Sequence, residues 1–488
     1  MFTRAIAREP LTEMTFEHIG STLERHAARK PEEVAIVCNS ATISWERLLQ
    51  LVAHRSVWIR SQAGSNPRVC IDTRSPTDLI IWVLATARAG GEAHILDPDW
   101  PSAVKNELIR KLAPGLIVSS EFPQMAPAPL QTKELNGPAT ADDPFYVGFT
   151  SGVAAAPKGF RRSHLSWIES FRAEEREFGI QEGDIVAAIG SVSHSLFLYA
   201  ALRSIQIGAR TILMNRFDPN HALDIMDRKQ ATILYAAPSH LKLMEIASAQ
   251  TVNSLRLVLC SGSKWLGHSE RLSSLFPNAE FSEFYGASEL SFVSVRRKRD
   301  GAPSSSVGRA FPGVEIAIRD QEGRKLQAGA VGRIYVRSPF LFNGYATGEA
   351  PPHRHGDEMS IGDLGRLDEN GFLYLEGREG RMLVTSGKNV FPEQLEAILM
   401  EHPHVEAAAV IGVDDPKRGV RLVGLIIPKE SAELSAASLI LHLKQKVSPS
   451  LIPTIYMQPR QWRWTRSGKT DIGALEDDLR EGACELIR

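Results

Sequence analysis

Cysteine, long apolar runs and net charge are all scarce in this sequence of 488 residues. The four cysteines form no C-x-x-C pair, which argues against a structural metal site and for a reducing compartment. The most apolar run, residues 79–87, is too short to cross a bilayer, and the first residues lack the apolar core of a signal peptide. We therefore expect a cytoplasmic protein without a membrane span.

The charges of the chain nearly cancel. With 56 lysines and arginines against 57 aspartates and glutamates, the formal net charge is −1, so nothing favours a nucleic acid or an anionic membrane as partner. A hydrophobic content of 43% and a charged content of 23% are typical of a globular protein. The length exceeds that of one ordinary domain, so we expect two or more.

Helical and strand patterns alternate along the first part of the chain. Apolar spacing predicts helices over residues 16–28, 44–59 and 79–89. Short apolar runs predict strands over residues 34–38, 185–189, 211–214 and 233–235, with a polar loop at 131–143. This alternation indicates a layered α/β architecture.

The pattern changes after Gly301, where short β-rich pieces separated by glycine predict a small antiparallel β subdomain. The last part predicts a compact α+β domain, with helices over residues 392–401 and 436–446 and strands over 407–413 and 422–427. We therefore predict an N-terminal domain over residues 1–377 and a smaller, mobile C-terminal domain over residues 378–488. The hinge is expected within residues 376–381.

One stretch, residues 146–159, reads Y-V-G-F-T-S-G-V-A-A-A-P-K-G. Its apolar start predicts a strand, and the small residues that follow, beginning with Thr150, Ser151 and Gly152, let the backbone approach an anion closely. Backbone N–H groups and hydroxyls can surround phosphate oxygens there, and Lys158 adds a positive charge. The nucleotide-binding pattern G-x-x-x-x-G-K-[ST] is absent, because Gly159 follows Lys158.

The strand, the turn of small residues and the P-K-G end resemble the phosphate loop of the adenylate-forming superfamily. That group includes acyl- and aryl-CoA ligases, stand-alone adenylation domains and luciferase. Other segments resemble the family in the same order: T-I-S-W-E-R-L-L, A-G-G-E-A-H-I-L-D-P-D-W-P, L-C-S-G-S-K-W, F-S-E-F-Y-G-A-S-E, G-D-L, G-R and T-R-S-G-K-T-D. The resemblance therefore covers nearly the whole chain, and this order is far more specific than any one segment.

The Y-G-A-S-E segment carries the first set of implied nucleotide contacts. By the resemblance, Tyr285 stacks near adenine with Gly286 beside it, Ser288 binds the α-phosphate, and Glu289 is the Mg²⁺ ligand and a catalytic candidate. The last role is physically sound, because Mg²⁺ takes oxygen ligands and needs few protein carboxylates when phosphates supply the others.

Three charged residues complete the implied nucleotide site. By the resemblance, Asp363 accepts both ribose hydroxyls and Arg378 also reaches the ribose; a carboxylate suits a vicinal diol because it accepts two donors. Lys469 matches the lysine that lies between the acid and the α-phosphate during adenylation. A carboxylate that attacks a triphosphate is an anion meeting an anion, and a cation between them stabilises the developing charge.

The resemblance also implies an acid-binding pocket. Ser261, Gly262 and Ser263 match the segment that lines it, and His194 stands where the family has an aromatic motif with a catalytic-site histidine. No acidic residue lies between Ser191 and Ala201 to pair with an ammonium group, and an unpaired buried ammonium is costly. We therefore expect a carboxylic acid without an α-amine as substrate.

The sequence departs from the family pattern in two places. Val153, Ala154 and Ala155 replace T-T-G in the phosphate loop, which removes two hydroxyl donors and predicts weaker pyrophosphate binding. Relatives often have an acid where Arg381 stands.

The resemblance implies the activation of a carboxylic acid by ATP and Mg²⁺ as acyl-AMP, followed by transfer to coenzyme A. Two alternatives remain at this point. One is an adenylating enzyme that loads the phosphopantetheine of an acyl carrier protein, and the other is a degenerate protein that binds nucleotide without turnover.

Overall fold

The protein is described here from a computed structural model, over residues 18–119, 140–150, 157–247, 250–262, 269–385, 388–415, 419–430, 432–465 and 469–487. The helices in the first part are α1 Leu23–Arg29, α2 Trp45–Ala63, α3 Pro76–Arg88, α4 Ser102–Leu112, α5 His164–Phe178, α6 Ser195–Ile207, α7 Pro219–Arg228, α8 Pro238–Ala247 and α9 Glu270–Leu275. Those of the C-terminal part are α10 Pro392–Met400, α11 Ala436–Lys444 and α12 Ile472–Arg480.

The strands follow in chain order. The first half contains β1 Val34–Cys38, β2 Ala41–Ser44, β3 Arg68–Ile71, β4 Glu92–Ile95, β5 Leu116–Val118, β6 Pro144–Thr150, β7 Lys158–Ser163, β8 Ile185–Ala188, β9 Arg210–Leu213, β10 Ile233–Ala236, β11 Leu257–Cys260, β12 Glu280–Ala287 and β13 Ser291–Arg297. The second half contains β14 Arg309–Ala310, β15 Glu315–Arg319, β16 Gly332–Arg337, β17 His353–His355, β18 Glu358–Ser360, β19 Asp363–Leu367, β20 Leu373–Arg378, β21 Leu383–Thr385, β22 Lys388–Val390, β23 Val405–Asp415, β24 Gly419–Pro428, β25 Ile455–Pro459 and β26 Cys484–Leu486.

Side-chain caps start several of the helices. The hydroxyl of Ser44 accepts a hydrogen bond from the N–H of Arg47 at 3.3 Å at the start of α2. Asp218 does the same for the N–H of His221 at 2.8 Å at the start of α7. Each cap satisfies one of the backbone donors that a helix leaves unpaired at its N-terminus, so these short polar residues fix where the helices begin.

Two sheets form the body of the N-terminal region. The larger has the order β14-β13-β12-β11-β10-β8-β9-β1-β2, with a parallel centre and antiparallel edges. The second has the order β5-β3-β4-β6-β7, and its last pair is antiparallel. Helices pack between and around the sheets, so central strands such as β10 and β11 are buried along their whole length and read as continuous apolar runs.

A third, antiparallel sheet with the order β17-β18-β16-β19-β20, with β15 on β16, forms the predicted β subdomain. The C-terminal region has its own sheet, in the order β22-β21-β24-β25-β26 with β23 on β24, and its own apolar core around Leu395, Leu399, Val410 and Tyr456. The predicted boundary at residue 377 falls within β20, and it stays a prediction. Among the described residues, no helix combines the length and apolarity that a membrane crossing requires.

The helix predicted over residues 16–28 is wrong at its start. Residues 18–22 form turns, and α1 begins only at Leu23. Ile19 and Leu23 are both buried, which mimics helical spacing, but Gly20 has a φ of +86° that interrupts a right-handed helix. The helix predicted over residues 79–89 begins earlier, at Pro76, because Ser75 caps it through the N–H of Asp78 at 3.2 Å.

Candidate active site

The candidate site lies at one edge of the large sheet. β8, β10 and β11 are parallel neighbours, so their carboxyl ends meet at this edge. His194 follows β8, and Ser261 and Gly262 follow β11 directly. The hydroxyl of Ser261 is buried and donates to the carbonyl of Phe284 at 2.8 Å, which ties β11 to β12. Ser263 lies outside the described residues.

The end of β12 brings the Y-G-A-S-E residues to the same edge. Gly286 lies at a bulge in the β12–β13 pair, where a Cβ would come within 2.2 Å of the carbonyl oxygen of Ser291, so only glycine fits. The hydroxyl of Ser288 lies 3.2 Å from that of Ser195, the first residue of α6. The C-terminal end of β12 and the start of α6 therefore meet beside His194.

Asp363 is the centre of a hydrogen-bonded group that joins the β subdomain to β12. The register of β19 and β20 places Asp363 opposite Arg378, whose Nε donates to Oδ1 at 2.6 Å. The hydroxyl of Tyr285 donates to the other carboxylate oxygen. The charge of Asp363 raises the pKa of Arg378, and burial together with that charge raises the pKa of Tyr285, so both groups remain donors.

Lys469 reaches this group from the C-terminal region. Its backbone is fixed by Thr465, whose N–H donates to the carbonyl of Lys469 at 2.7 Å and whose hydroxyl accepts from the N–H of Lys469 at 3.0 Å. Lys469 itself is exposed. Partial loss of water around its ammonium group, and then the charge of Arg378, lowers the pKa of Lys469, while the charges of Asp363 and Glu289 act in the opposite direction. Lys469 is therefore near enough to these three residues for their charges to act on it.

Glu289 is a carboxylate that is only 8% exposed. Its Oε1 accepts a hydrogen bond from the hydroxyl of Tyr345 at 3.1 Å, and no lysine, arginine or histidine in the described ranges lies within ion-pair distance of it. A buried carboxylate without a paired cation suits an oxygen site for Mg²⁺ that phosphate oxygens complete. No cluster of three or more histidine, cysteine or acidic side chains that could hold a metal alone occurs among the described residues.

The two arms of the predicted phosphate loop are β6 and β7, and Thr150 pairs with Lys158 across them. The turn between the arms lies outside the described residues, which includes Ser151, Gly152 and the departure at residues 153–155. Lys158 is exposed, and no carboxylate in the described part of the chain forms an ion pair with it. Its charge is therefore available to an anion at the mouth of the loop.

His194 lies near a second histidine, His240 of α8. The ring of His240 packs between Phe217, at a centroid distance of 4.3 Å, and Phe197, at 5.4 Å. Burial, and then the positive charge that His194 carries when protonated, lowers the pKa of His240 to about 4. At neutral pH the His240 ring is therefore uncharged, and it lies among aromatic rings.

The sequence analysis missed Arg162, a buried arginine that supports the site. Its guanidinium group donates to the carbonyl of Ser288 at 3.0 Å and to that of Phe340 at 2.8 Å. Burial lowers the pKa of Arg162 to about 10, against the effect of nearby Tyr146, so it stays charged at neutral pH. The sequence does contain a signal for the burial of Arg162. Successive side chains of a strand point to opposite faces, so Arg162 lies on the same buried face of β7 as Phe160, two residues earlier.

The residues around the predicted hinge bind to opposite sides of the cleft. Glu379 pairs with Arg333 of β16 at 2.6 Å. Arg381 pairs instead with Glu396 of α10 at 2.6 Å. Gly380 stands between them, and a Cβ added there would meet no atom of the described residues within 4 Å. Arg381, unusual for the family, is thus neutralised within the C-terminal region, and Gly380 separates the two attachments.

Two protein-family models match the chain. A family model described as AMP-binding enzyme matches residues 23–346, and one described as AMP-binding enzyme C-terminal domain matches residues 394–469. YhfT of Bacillus subtilis strain 168, an uncharacterized acyl–CoA ligase, is 32% identical over 93% of this chain and 96% of its own length.

Two solved structures show the same fold. ATP-bound MatB from Rhodopseudomonas palustris has a TM-score of 0.85 at 21% identity and covers 95% of this chain and 99% of its own. O-succinylbenzoate coenzyme A synthetase (MenE) from Bacillus subtilis, in complex with ATP and magnesium ion, has a TM-score of 0.83 at 20% identity and covers 94% and 100%. The predicted α/β fold class, with a large N-terminal and a smaller C-terminal domain, is confirmed.

Proposed function

Because the chain belongs to the family of AMP-binding enzymes, as the sequence predicted, we propose that it is an AMP-forming acid–CoA ligase. It uses ATP and Mg²⁺ to activate a carboxylic acid as acyl-AMP with release of pyrophosphate, and then transfers the acyl group to coenzyme A. The observation that carries the proposal is the hydrogen-bonded group of Asp363, Tyr285 and Arg378, whose charges also act on Lys469 of the C-terminal region. A protein that only bound nucleotide would need no lysine presented from the second domain.

The nucleotide occupies the edge of the cleft formed by β12 and β19. Asp363 accepts the ribose hydroxyls with the lone pairs that Tyr285 and Arg378 leave free, since each carboxylate oxygen has two. Ser288 lies at the α-phosphate, next to the N-terminus of α6, where helix N–H groups and the helix dipole favour an anion. Thr150, Ser151, Gly152 and Lys158 bind the remaining phosphates, with Gly286 giving the base room beside Tyr285.

Glu289 would hold Mg²⁺ together with phosphate oxygens, and the bound ion would supply positive charge to the phosphates that the incoming acid must approach. Lys469 lies between the attacking carboxylate and the α-phosphate. Its charge stabilises both the approach of the two anions and the negative charge that develops as pyrophosphate leaves. The lowered pKa of Lys469 in the free enzyme is opposed when the triphosphate binds, because nearby negative charge favours the protonated form.

The acid lies against His194, Ser261, Gly262 and Ser263. Gly262 has a φ of +106°, and no atom of the described residues lies within 4 Å of the place where a side chain would stand. The rings of His240, Phe197 and Phe217, which pack together here, carry no carboxylate to neutralise an ammonium group. This supports an acid without an α-amine.

Coenzyme A is the proposed acceptor of the acyl group, in a cytoplasmic enzyme; an acyl carrier protein is the alternative. The two share the phosphopantetheine thiol, so the chemistry at the acyl-AMP is the same for both. The test is a pyrophosphate-exchange assay over a panel of aliphatic, aromatic and hydroxy acids. The best acid is then supplied with coenzyme A or with a holo carrier protein, and thioester is measured. Acid-dependent exchange with thioester formed on coenzyme A supports the proposal, and ATP binding without exchange contradicts it.

A further inference from the structure

A short segment, residues 342–347, connects the phosphate-loop arm β7 to Glu289; we name it the crossing segment. Asn343 donates its N–H to the carbonyl of Arg161 at 2.9 Å. Ala346 donates its N–H to the carbonyl of Gly159 at 2.7 Å. In two further hydrogen bonds, at 2.8–2.9 Å, N–H groups of β7 donate to oxygen atoms of the crossing segment. The crossing segment therefore lies along β7 like an additional strand.

The crossing segment also forms two hydrogen bonds with Glu289. The N–H of Phe342 donates to the backbone carbonyl of Glu289 at 2.9 Å. The hydroxyl of Tyr345 donates to Oε1 of the Glu289 side chain at 3.1 Å. The ring of Tyr345 is itself fixed against that of Phe342, at a centroid distance of 5.0 Å in an edge-to-face arrangement. The phenol is therefore a rigid donor, and it comes from an element already tied to the phosphate loop.

Resting on the proposed function, we propose that Tyr345 is a positioning residue that fixes the Glu289 carboxylate for the divalent cation that accompanies ATP. One hydrogen bond on Oε1 sets the rotation of the carboxylate and leaves Oε2 free for the cation. Such partners of metal ligands restrict the ligand to its binding orientation, and their loss weakens metal affinity. Because the crossing segment is bonded to β7, the carboxylate and the phosphate loop keep their relative positions when ATP binds.

The test uses Tyr345→Phe, which removes one oxygen and keeps the ring on Phe342. ATP binding is measured by calorimetry at a series of Mg²⁺ concentrations, and once in EDTA. We expect the Mg²⁺ concentration that gives half-maximal enhancement of binding to rise roughly tenfold or more. ATP affinity in EDTA should stay at the wild-type value, since the direct nucleotide contacts are unchanged.

Tyr374→Phe is the matched control. Tyr374, in β20, also donates its hydroxyl to a carboxylate at 3.1 Å, that of Asp368. Its loss should leave the Mg²⁺ dependence at the wild-type value. An equal shift in both variants would overturn the proposal, because the effect would then not be specific to the bond with Glu289.

Glu289→Gln separates this inference from the proposed function. If Glu289→Gln keeps the wild-type Mg²⁺ dependence, the metal site itself is wrong. If Glu289→Gln loses that dependence while Tyr345→Phe keeps it, only the positioning role fails. Equal weakening of ATP binding by Tyr345→Phe in Mg²⁺ and in EDTA also overturns it. Adding Tyr345→Phe to Glu289→Gln should not change the Mg²⁺ dependence of ATP binding any further, because Tyr345 acts through Glu289.

Discussion

Asp363→Asn tests the ribose site at single-atom resolution. Asp363 is 5% exposed and already receives two donors, Arg378 Nε at 2.6 Å and the hydroxyl of Tyr285. Asparagine keeps the shape but replaces one acceptor oxygen by an amide donor. That amide cannot accept from Arg378, whose guanidinium group is a donor only, or from a ribose hydroxyl.

The expected loss of ATP affinity follows from the hydrogen bond to the ribose that the substitution removes. A hydrogen bond to a charged group contributes about 1.5–3 kcal/mol, and each 1.4 kcal/mol changes a dissociation constant about tenfold. Loss of one ribose bond therefore weakens ATP binding roughly 10- to 150-fold. Asp368→Asn is the control, because it makes the same chemical change at a carboxylate that accepts from Tyr374 and from backbone N–H groups at 2.9–3.0 Å. It should leave ATP affinity unchanged.

The assay is calorimetric binding of ATP and of 2′,3′-dideoxy-ATP, with Mg²⁺ and without acid. The wild-type enzyme should lose affinity for the dideoxy nucleotide, and Asp363→Asn should lose less affinity on the same change, because one of its two ribose bonds is already missing. The two changes share that interaction and so are not fully additive. The reasoning is refuted if Asp363→Asn binds ATP like the wild type, or if the two losses add in full.

Three further predictions concern Lys469 and the buried core. Lys469→Ala should slow pyrophosphate exchange on the order of a thousandfold while thioester formation from synthetic acyl-AMP and coenzyme A stays near wild type; a parallel fall in both half-reactions would show that Lys469 is structural. Because the pKa of Lys469 is lowered, kcat/KM for exchange should fall as pH rises through a value below that of an ordinary lysine, and a flat profile up to pH 10 would contradict this. Glu174 is fully buried beside Arg203, and burial raises the pKa of Glu174 to about 7. The protonated carboxyl group therefore contributes stability at low pH, and this contribution is lost as the pH rises towards 7. Relative to Glu174→Gln, the free energy of unfolding of the wild type should therefore fall between about pH 4.5 and 7. The free energies are measured by denaturant unfolding at each pH, and the same pH dependence in both proteins would contradict the prediction.

Local patterns predicted much of this molecule because they depend on neighbours in the chain. The strands around Val34–Cys38 and Ile233–Ala236 follow from short apolar runs, and the antiparallel β subdomain follows from glycine-separated β pieces. The order of the family segments also predicted which residues form the site, and three of them, Tyr285, Asp363 and Arg378, are hydrogen-bonded to one another in the structure.

The roles of Arg162 and Tyr345 could not be predicted in this way, because they depend on contacts between distant parts of the chain. Arg162 lies 126 residues from the Ser288 carbonyl that it binds, and Tyr345 lies 56 residues from Glu289. Arg381 was a similar case. Its residue type looked like a departure from the family until Glu396, on a helix 15 residues away, proved to be its ion-pair partner.

The most direct test of the proposed reaction follows one oxygen atom. The acid that gives the fastest pyrophosphate exchange is labelled with ¹⁸O in its carboxylate and incubated with enzyme, ATP, Mg²⁺ and coenzyme A. If the carboxylate attacks the α-phosphate, as the position of Lys469 beside the nucleotide residues predicts, one ¹⁸O atom appears in each AMP released. Unlabelled AMP, or label found in phosphate, would contradict activation through acyl-AMP.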